Sequence, residues 1–472
     1  MAERARAGLA ELGRTGIPGG WLAGLYCGLA LLPLAVARLT GYPLSRFWDA
    51  LAAGLGIVAL AGLMLQVAAS PRLRLVAARV GSGRILRFHR MAGVVILAAA
   101  LLHPVAFVAG DLFSDPGLAL ARLGAMLEAP GLTSGVIAAG LLALLTGLAE
   151  MRRLPFPERV RRVLHGAGAG LVIAFALAHA LQIGTFAEES DIGLAWTILA
   201  AVAIAAAGAL LHGTLRRRHL EIEDARRLGG GLLEIVAHPV GDGVDFRAAE
   251  FFRAGAGLPL LIGSAPRDLP VVRLLAALPD DADALAALPE AGRIAIEGPF
   301  GRALLETTEA DALLIVVSGA GIAPALAVLR TMTFRRDLRP VRLVYGAGAW
   351  EDLVFRSEIE ALGRHLDLGF VYAVEGAAPE EAPDRIDAAL LAEAMRGCDP
   401  GRVAALVCLG REDEPATVDG LLDLGVRAQC IVRESLDWQA PPPRDGLGRR
   451  DWRRTASIFA ALALAIVLFS LV

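Results

Sequence analysis

The first half of the chain alternates long apolar runs with short polar segments. A run of about 20 apolar residues is long enough to cross the roughly 30 Å hydrocarbon core of a bilayer. Runs of this kind predict six transmembrane helices, at residues 19–39, 48–69, 91–110, 131–149, 164–184 and 193–213.

The second half has a different pattern. From about residue 214 to 440, short β-like runs alternate with turn glycines, prolines and ordinary charge, which predicts a soluble α/β region. A proline-rich linker and a basic flank then precede a last apolar run, 456–472. This run predicts a C-terminal transmembrane anchor. Because about 17 residues is the short end for a span, a helix packed against the others is the alternative.

Composition supports a membrane protein. The 472 residues are 56% hydrophobic and only 20% charged, which is more apolar than one aqueous core can absorb. The net charge of −3 excludes a nucleic-acid binder that works through a strongly basic domain. The four cysteines lack the spacing of a metal site or a disulfide framework.

Charge in the loops predicts orientation. Arginines concentrate in segments 72–90 and 152–162, whereas the alternate loops are acidic, at Asp111, Asp115 and 188–191. Because cytoplasmic loops retain arginine, both ends of the six-helix unit are predicted to face the cytoplasm, together with the soluble region. This pattern indicates a multi-pass protein, in contact with membrane lipid, of a bacterial-type inner membrane.

Two of the predicted helices each carry two histidines that are 14 residues apart: His89 and His103 at the third helix, His165 and His179 at the fifth. Fourteen steps of about 100° return a side chain to nearly the same helix face, about 21 Å further along the axis. The two helices are predicted to run in the same direction, which places His89 beside His165 and His103 beside His179. Each pair can ligate one haem iron from opposite sides. For a single membrane histidine, a helix–helix hydrogen bond is the alternative.

This arrangement resembles the ferric reductase-like transmembrane domain shared by NADPH oxidases and ferric reductases, over roughly residues 19–213. The resemblance implies six helices that hold two b-type haems through the four histidines. Gln182 and Arg122 are candidates to hold a small anion or oxygen near the haem of His103 and His179, with ordinary helix-end polarity as the alternative. Glycines near the histidines leave room for a flat porphyrin: Gly93, Gly166, Gly168 and Gly170.

The soluble region contains a strand followed by a glycine loop. Residues 312–317 form an apolar run typical of a buried strand, and Gly319, Gly321 and Pro324 lie in the turn that follows it. Glycines at such a junction let the backbone approach a phosphate at the N-terminus of the next helix. A glycine pair alone also suits any tight strand–helix turn.

The order of segments resembles the ferredoxin-NADP reductase superfamily, in which a flavin-binding β-barrel precedes a nicotinamide-binding α/β domain. The resemblance implies FAD and either NADPH or NADH as cofactors. It places residues 258–266 in the flavin segment, 298–301 in a Gly-Pro-aromatic-Gly turn, and 434–438 in a C-terminal acidic and aromatic segment. The cofactor-binding residues that it implies are Pro259, Leu260, Ser264, Arg267, Gly298, Pro299, Phe300, Gly301, Gly319, Gly321, Pro324, Tyr345, Arg356, Cys408, Gly410 and Trp438.

The sequence departs from this family at the flavin segment. Oxidase members begin the segment with His-Pro-Phe-Thr, whereas residues 258–261 of this chain read Leu-Pro-Leu-Leu. The usual place for the arginine that grips the flavin pyrophosphate holds none, and Arg267 is the candidate substitute. We therefore expect weak FAD binding. After Gly346 the chain lacks the arginine that often grips a 2′-phosphate, so NADH is expected to compete with NADPH, for which Arg356 is the remaining candidate.

These features predict a multi-domain membrane oxidoreductase, an NAD(P)H oxidase or ferric reductase-type flavocytochrome b. The expected fold class is an all-α haem bundle, then a flavin-binding β-barrel, an α/β nucleotide-binding domain and a C-terminal transmembrane helix. The expected boundaries are a cytoplasmic segment at 1–18, the bundle at 19–213, the barrel at 214–305, the α/β domain at 306–440, and the linker and anchor at 441–472.

Electrons are expected to pass from cytoplasmic NAD(P)H through FAD and two haems to an acceptor on the opposite side. Oxygen is the favoured acceptor, and a ferric chelate is the alternative. A second hypothesis is a haem-bearing electron conduit or redox sensor with a degenerate flavin site, fed by a separate reductase as its protein partner. A third is a transport or scaffolding protein with incidental histidines.

Overall fold

The computed structural model describes residues 17–40, 46–150, 158–183, 190–215, 218–241, 243–254, 258–277, 292–307, 309–377, 382–434 and 444–471. The chain divides into two compact units. The helical unit comprises residues 17–76, 84–212 and 452–472. The barrel–sheet unit comprises residues 213–451 together with 77–83.

The helical unit is built from long apolar helices. The helices of this part of the chain are α1 (Gly19–Leu39), α2 (Phe47–Ala68), a short α3 (Arg74–Val80), α4 (Ser82–Leu112), α5 (Pro116–Glu128), α6 (Thr133–Glu150), α7 (Glu158–Ile183) and α8 (Ser190–Leu215). Among the described residues, six helices are long and apolar enough to span a membrane: α1, α2, α4, α7, α8 and a C-terminal helix. The bent pair α5 and α6 counts as a seventh if it is taken as one span.

Helices α4 and α5 differ from the predicted runs. Helix α4 begins at Ser82 rather than near residue 91, because arginine is a good helix former and does not end a helix at the edge of the apolar run. Helix α5 was not predicted, since its 13 residues are too short for a span. Asp115 caps it, with its Oδ1 accepting a hydrogen bond from the Leu118 amide at 3.1 Å.

The C-terminal helix extends over Gly446–Leu471, well before the predicted start at 456. Its first turn is held in the barrel–sheet unit, where Leu447 is buried in the sheet core and the Gly448 amide donates to Asp445 Oδ1 at 2.7 Å. Further along, Leu462 packs with Ala30 and Leu60 of the helical unit. The predicted anchor is therefore an apolar helix that also packs on α1 and α2.

Six antiparallel strands close into a barrel in the order β1-β2-β5-β4-β3-β6. Its interior is filled by alternating apolar side chains such as Ile235, Phe252 and Leu274, as the two-residue period of a strand requires. The strands are β1 (Arg218–Leu228), β2 (Leu232–Val240), β3 (Phe251–Ala254), β4 (Pro259–Ile262), β5 (Val272–Ala277) and β6 (Arg293–Phe300).

A parallel five-stranded sheet follows, in the order β11-β10-β7-β8-β9. The order reverses direction between β7 and β10, and ligands of open α/β sheets bind outside the carboxyl ends of strands at such a switch point. The strands are β7 (Ala312–Ser318), β8 (Val341–Ala347), β9 (Leu368–Val374), β10 (Val403–Cys408) and β11 (Ile431–Arg433). The helices are α9 (Leu304–Thr307), α10 (Ile322–Arg335), α11 (Arg356–Gly363), α12 (Ala388–Ala394) and α13 (Glu414–Asp423), and the C-terminal helix is α14.

One apolar cluster joins the barrel to the sheet. It contains Phe251 and Leu261 of the barrel together with Ile315 and Leu343 of the sheet, all 2% exposed or less. The two layers therefore share a core within this unit. The predicted fold class is confirmed: an apolar helical part, a six-stranded barrel, an α/β domain and a C-terminal apolar helix.

Candidate functional site

The first histidine pair lies where the 14-residue spacing predicts. His89 of α4 and His165 of α7 have ring centroids 6.2 Å apart, with the ring planes at 58°. Two imidazoles on opposite sides of one metal ion, each bonded at about 2 Å, place their centroids about 6 Å apart. The Nδ1 atom of His89 is buried and has no hydrogen-bond partner among the described residues. This pair therefore fits a haem held through both axial positions.

Helix α2 contacts α4 at both of its histidines. The Gln66 side chain donates to the His89 carbonyl oxygen at 2.8 Å, and His103 Nδ1 lies 2.6 Å from the Ala52 carbonyl oxygen. A carbonyl accepts only from a protonated nitrogen, so this bond assigns the proton of His103 to Nδ1 and leaves Nε2 unprotonated, as a metal ligand must be. The second pair thus has one member already oriented for ligation.

His179, the partner predicted for His103, lies on α7. Its ring lies against Gly135 of α6, where a Cβ atom would be 2.6 Å from His179 Nδ1. Among the glycines predicted to flank the haems, Gly166 and Gly170 face open space, whereas Gly168 packs against Leu145.

The two side chains predicted to hold an anion or oxygen near His179 have protein partners. Arg122 forms an ion pair with Asp111. Gln182 Oε1 accepts a hydrogen bond from Ser134 Oγ at 2.6 Å. Both contacts are of the kind that helix-end polarity, the alternative, predicts.

The glycine loop lies at the switch point of the sheet. Gly319 has a φ of +52°, and the space where its Cβ would stand is open, as it also is at Gly410 after β10. The two loops are linked by the Gly410 amide, which donates to Ser318 Oγ at 3.2 Å. Gly321 packs on Cys408, whose carbonyl oxygen would be 2.3 Å from a Cβ at position 321. The structure therefore brings the predicted residues of both loops together beside open space.

A buried carboxyl group lies next to these loops. Glu434 follows β11, is 8% exposed, and its Oε1 accepts from the Arg302 amide at 2.8 Å. Burial raises the pKa of Glu434 to about 8, and burial also raises the pKa of the Cys408 thiol. A Cβ atom at Gly301 would lie 3.2 Å from this carboxyl group. The sequence comparison placed an acidic segment here without giving Glu434 a role.

The remaining nucleotide-side predictions have mixed outcomes. Arg356 is exposed and stacks on Trp350 at 5.9 Å, so it is accessible to a ligand. Tyr345 is fully buried, and its hydroxyl lies 3.4 Å from the Asp352 carbonyl oxygen. Pro324 is buried in the first turn of α10. Trp438 lies outside the described residues.

The predicted flavin segment is occupied by contacts within the chain. Leu260 is fully buried in the barrel interior. Ser264 Oγ accepts from the Arg273 amide at 2.7 Å, and the amides of Gly263 and Ala265 are bonded to Arg273 O and Asp268 Oδ2. Pro259 pairs with β3, and Arg267 is exposed and stacks over the Phe334 ring at 5.6 Å. Within this segment Arg267 is thus an exposed polar side chain, whereas the Ser264 hydroxyl and the two amides have partners within the chain.

The Gly-Pro-aromatic-Gly turn ends β6. Gly298 has a φ of +120° and Gly301 a φ of +97°, conformations that favour glycine. Pro299 is buried, and Phe300 packs on Phe251 with ring centroids 6.0 Å apart. This turn therefore contributes to the shared core and brings Gly301 to Glu434.

An ion-pair network missed by the sequence analysis joins the barrel to the sheet. Arg273 Nη2 lies 2.7 Å from Glu234 Oε1 and Arg273 Nη1 lies 3.2 Å from Glu358 Oε2. Arg330 of α10 also pairs with Glu358 and donates to the Gly263 carbonyl at 2.7 Å. Burial disfavours the Glu234 charge, but hydrogen bonds from Arg273 and Arg226 outweigh it and lower the pKa of Glu234.

Two family models match the chain. Residues 55–177 match the ferric reductase like transmembrane component, and residues 315–412 match the oxidoreductase NAD-binding domain. The chain joins a ferric reductase-like membrane domain to an NAD-binding oxidoreductase domain. This confirms the predicted resemblance and the predicted class, a transmembrane oxidoreductase. The second match supports NAD(P)H binding.

Curated relatives match short stretches of the chain. The reductase component of propane 2-monooxygenase from Mycolicibacterium smegmatis is 35% identical over 94 residues, which is 20% of this chain and 27% of the relative. The ferredoxin–NAD(+) reductase component of the alkene monooxygenase system of Xanthobacter autotrophicus is 38% identical over 69 residues, 15% of this chain and 21% of the relative. The chain thus spans about a quarter of the length of these relatives.

Solved structures include a ferredoxin NADP+ reductase from Neisseria gonorrhoeae with bound FAD and NADP. It has a TM-score of 0.40 and 22% identity, and it covers 46% of this chain and 97% of its own.

Proposed function

We propose that this transmembrane oxidoreductase carries electrons from cytoplasmic NAD(P)H across the membrane through two b-type haems. The haems would be held by His89 with His165 and by His103 with His179. The observation that carries the proposal is the 6.2 Å separation of the His89 and His165 rings. A haem with two axial imidazoles supplies one-electron transfer without an open coordination position.

The protein residues have separate tasks in this proposal. Helices α4 and α7 would hold the two pairs about 21 Å apart along the helix axes. One haem would then lie near each face of the bilayer. The loops at Gly319 and Gly410 would receive the nicotinamide nucleotide at the switch point of the sheet. Arg356, exposed beside Trp350, would meet its adenosine end.

NAD(P)H gives up two electrons as hydride, and a flavin is the group that converts such a donor to single-electron steps. In segment 258–267, Arg267, exposed beside Phe334, would be the residue that meets FAD, whereas the Ser264 hydroxyl and the Ala265 amide are bonded within the chain. This observation favours a second candidate function, a haem-bearing conduit or redox sensor that a separate reductase supplies with electrons.

The proposed acceptor is oxygen, reduced to superoxide, and a ferric chelate is the alternative. Closed axial positions suit transfer to an acceptor that does not bind the iron. Superoxide-dependent reduction of cytochrome c, compared with ferrous-chelate formation under anaerobic conditions, distinguishes the two acceptors.

An anaerobic titration of the purified protein tests the proposal. NADPH and then NADH are added with and without FAD, the haem absorption bands are followed, and dithionite gives the fully reduced reference. Reduction of the haems by NAD(P)H supports electron transfer from nucleotide to haem within this one protein. Comparing the titrations with and without FAD shows whether this transfer needs flavin. Reduction by dithionite alone supports the conduit. Absence of haem from the folded protein contradicts both.

A further inference from the structure

Two glycines from different helices contact the histidines of the second pair in the same way. A Cβ atom at Gly56 of α2 would lie 3.0 Å from His103 Nδ1 and 3.1 Å from its Cε1. A Cβ atom at Gly135 of α6 would lie 2.6 Å from His179 Nδ1 and 2.7 Å from its Cε1. Each imidazole therefore presses its Nδ1–Cε1 edge against the backbone of a neighbouring helix.

This contact determines which ring nitrogen of each histidine can bind a metal. With the Nδ1–Cε1 edge covered, Nε2 is the nitrogen that each ring can offer to an iron. A Cβ atom at position 135 would come closer to the ring than real Cβ atoms do, and one at position 56 would be tighter than most real contacts, so glycine suits both positions. The rotation of both rings is consequently fixed by helix backbone rather than by flexible side chains.

Hydrogen bonds support both contacts. The Ala52 carbonyl oxygen, one turn before Gly56, lies 2.6 Å from His103 Nδ1. Ser134, next to Gly135, donates to Gln182 on α7 at 2.6 Å, and Gln182 is three residues after His179. Each glycine is therefore held in register with the histidine that it touches.

The first pair has no such support. Among the described glycines, none has His89 or His165 among the nearest neighbours of its Cβ position. The backbone contact is thus a property of the His103/His179 pair.

We propose that Gly56 and Gly135 are positioning residues that fix the orientation of the two axial imidazoles on the haem of His103 and His179. The inference rests on the proposed function, since it requires that these histidines ligate haem. Axial ligand identity and the hydrogen bonding around the ligands are levers by which a protein tunes a haem. The orientation of these rings therefore sets the electron paramagnetic resonance signal and the midpoint potential of one haem.

The test uses the full-length protein purified in detergent, with four variants. Gly135→Ala and Gly56→Ala place a methyl group against an imidazole. Gly140→Ala on α6 enters open space, and Gly62→Ala on α2 meets only Ile96, at 3.0 Å, and Tyr26, at 3.8 Å. The measurements are haem per chain, the low-spin resonance spectrum of the oxidised protein, and a potentiometric titration resolved into two components.

We expect Gly135→Ala to shift or remove one component and to leave the other at its wild-type position. Gly56→Ala should have the same effect to a smaller degree, because 3.0 Å is less crowded than 2.6 Å. Both control variants should retain the wild-type pair of components. The inference is overturned if Gly135→Ala and Gly56→Ala keep both components unchanged, or if Gly135→Ala loses both while Gly140→Ala loses neither.

His103→Leu separates this inference from the proposed function. If His103→Leu removes one component and the glycine variants remain wild type, the ligands are right and the positioning role is wrong. If His103→Leu retains both haems, the proposed ligand set itself fails.

Discussion

Gly321 lies so close to Cys408 that a Cβ atom at position 321 would stand 2.3 Å from the Cys408 carbonyl oxygen. That oxygen belongs to backbone at the end of β10 and cannot rotate away. Gly321→Ala should therefore push the two loops apart and weaken NAD(P)H binding, with a loss of stability of about 1–3 kcal/mol from overpacking. Nucleotide binding by fluorescence titration and thermal unfolding of the purified chain measure the two effects.

Gly363→Ala is the matched control for that substitution. Its Cβ would make only an ordinary contact with Leu368, at 3.8 Å, at the end of α11. Unchanged nucleotide affinity in Gly321→Ala would show that the glycine loop is not the nucleotide site.

Each histidine pair should account for one haem. His179→Leu should remove the haem shared with His103 and leave the other in place, because leucine fills similar space but offers no ligand. His165→Leu should remove only the haem shared with His89. Haem content per chain, measured as the pyridine complex, should fall by half in each variant. Two haems per chain in His165→Leu would contradict the pairing that the ring separation supports.

Glu434 should make the barrel–sheet unit less stable as the pH rises. Its pKa in the folded protein is about 8, above its ordinary value, so the folded state binds this proton more tightly than the unfolded state. The resulting stabilisation is complete below about pH 4 and is lost as the pH rises through about 8. Thermal unfolding between pH 6 and 9 should show a falling midpoint.

Glu434→Gln is the control for this dependence. The amide keeps the size of the side chain and its acceptor for the Arg302 amide, but it cannot ionise. Its unfolding midpoint should vary less with pH over the same range. An equally steep fall in this variant would assign the dependence to other groups.

The junction before α14 should depend on a buried ion pair. Arg433 pairs with Asp445 and lies 2.8 Å from Glu414, and the Asp445 side chain is fully buried. Asp445→Ala leaves Arg433 without one partner in a buried site and should destabilise the unit by about 3–5 kcal/mol. Urea unfolding followed by tryptophan fluorescence measures this loss.

Arg449 and Asp419 provide a comparison close by. Their side chains are 61% and 40% exposed and 3.8 Å apart. Arg449→Ala should cost less than about 1 kcal/mol. Equal losses in the two variants would show that burial does not set the contribution of Asp445.

Much of the helical unit could be predicted because a membrane span is a local property. Continuous apolar residues mark α1, α2 and α8 directly, and the 14-residue spacing of His89 and His103 follows from helix geometry alone. Helix α5 could not be recognised in this way, because it is too short for a span. The start of α14 was predicted too late. In the sequence, Arg449 and its neighbours resemble a basic segment before an apolar helix, and the hydrogen bond from the Gly448 amide to Asp445 cannot be read from the sequence.

The long-range contacts of the site could not be read from the sequence. Nothing in the residue types around Gly56 or Gly135 indicates that each meets a histidine on another helix. The flavin segment was predicted by its order in the chain, whereas Ser264 is bonded to Arg273, on a different strand. Such pairings depend on strand closure and helix packing, which a pattern along one chain does not specify.

Most of the barrel–sheet unit is inserted within the sequence of the helical unit. Residues 213–451 lie between stretches that belong to one helical unit, and α14 completes that unit by packing Leu462 and Ile466 against α1 and α2. A ribosome therefore releases the last helix of this core only after the whole insertion has been synthesised. Domains generally fold as units during synthesis. The inserted residues can therefore fold before α14 is made and packs against α1 and α2.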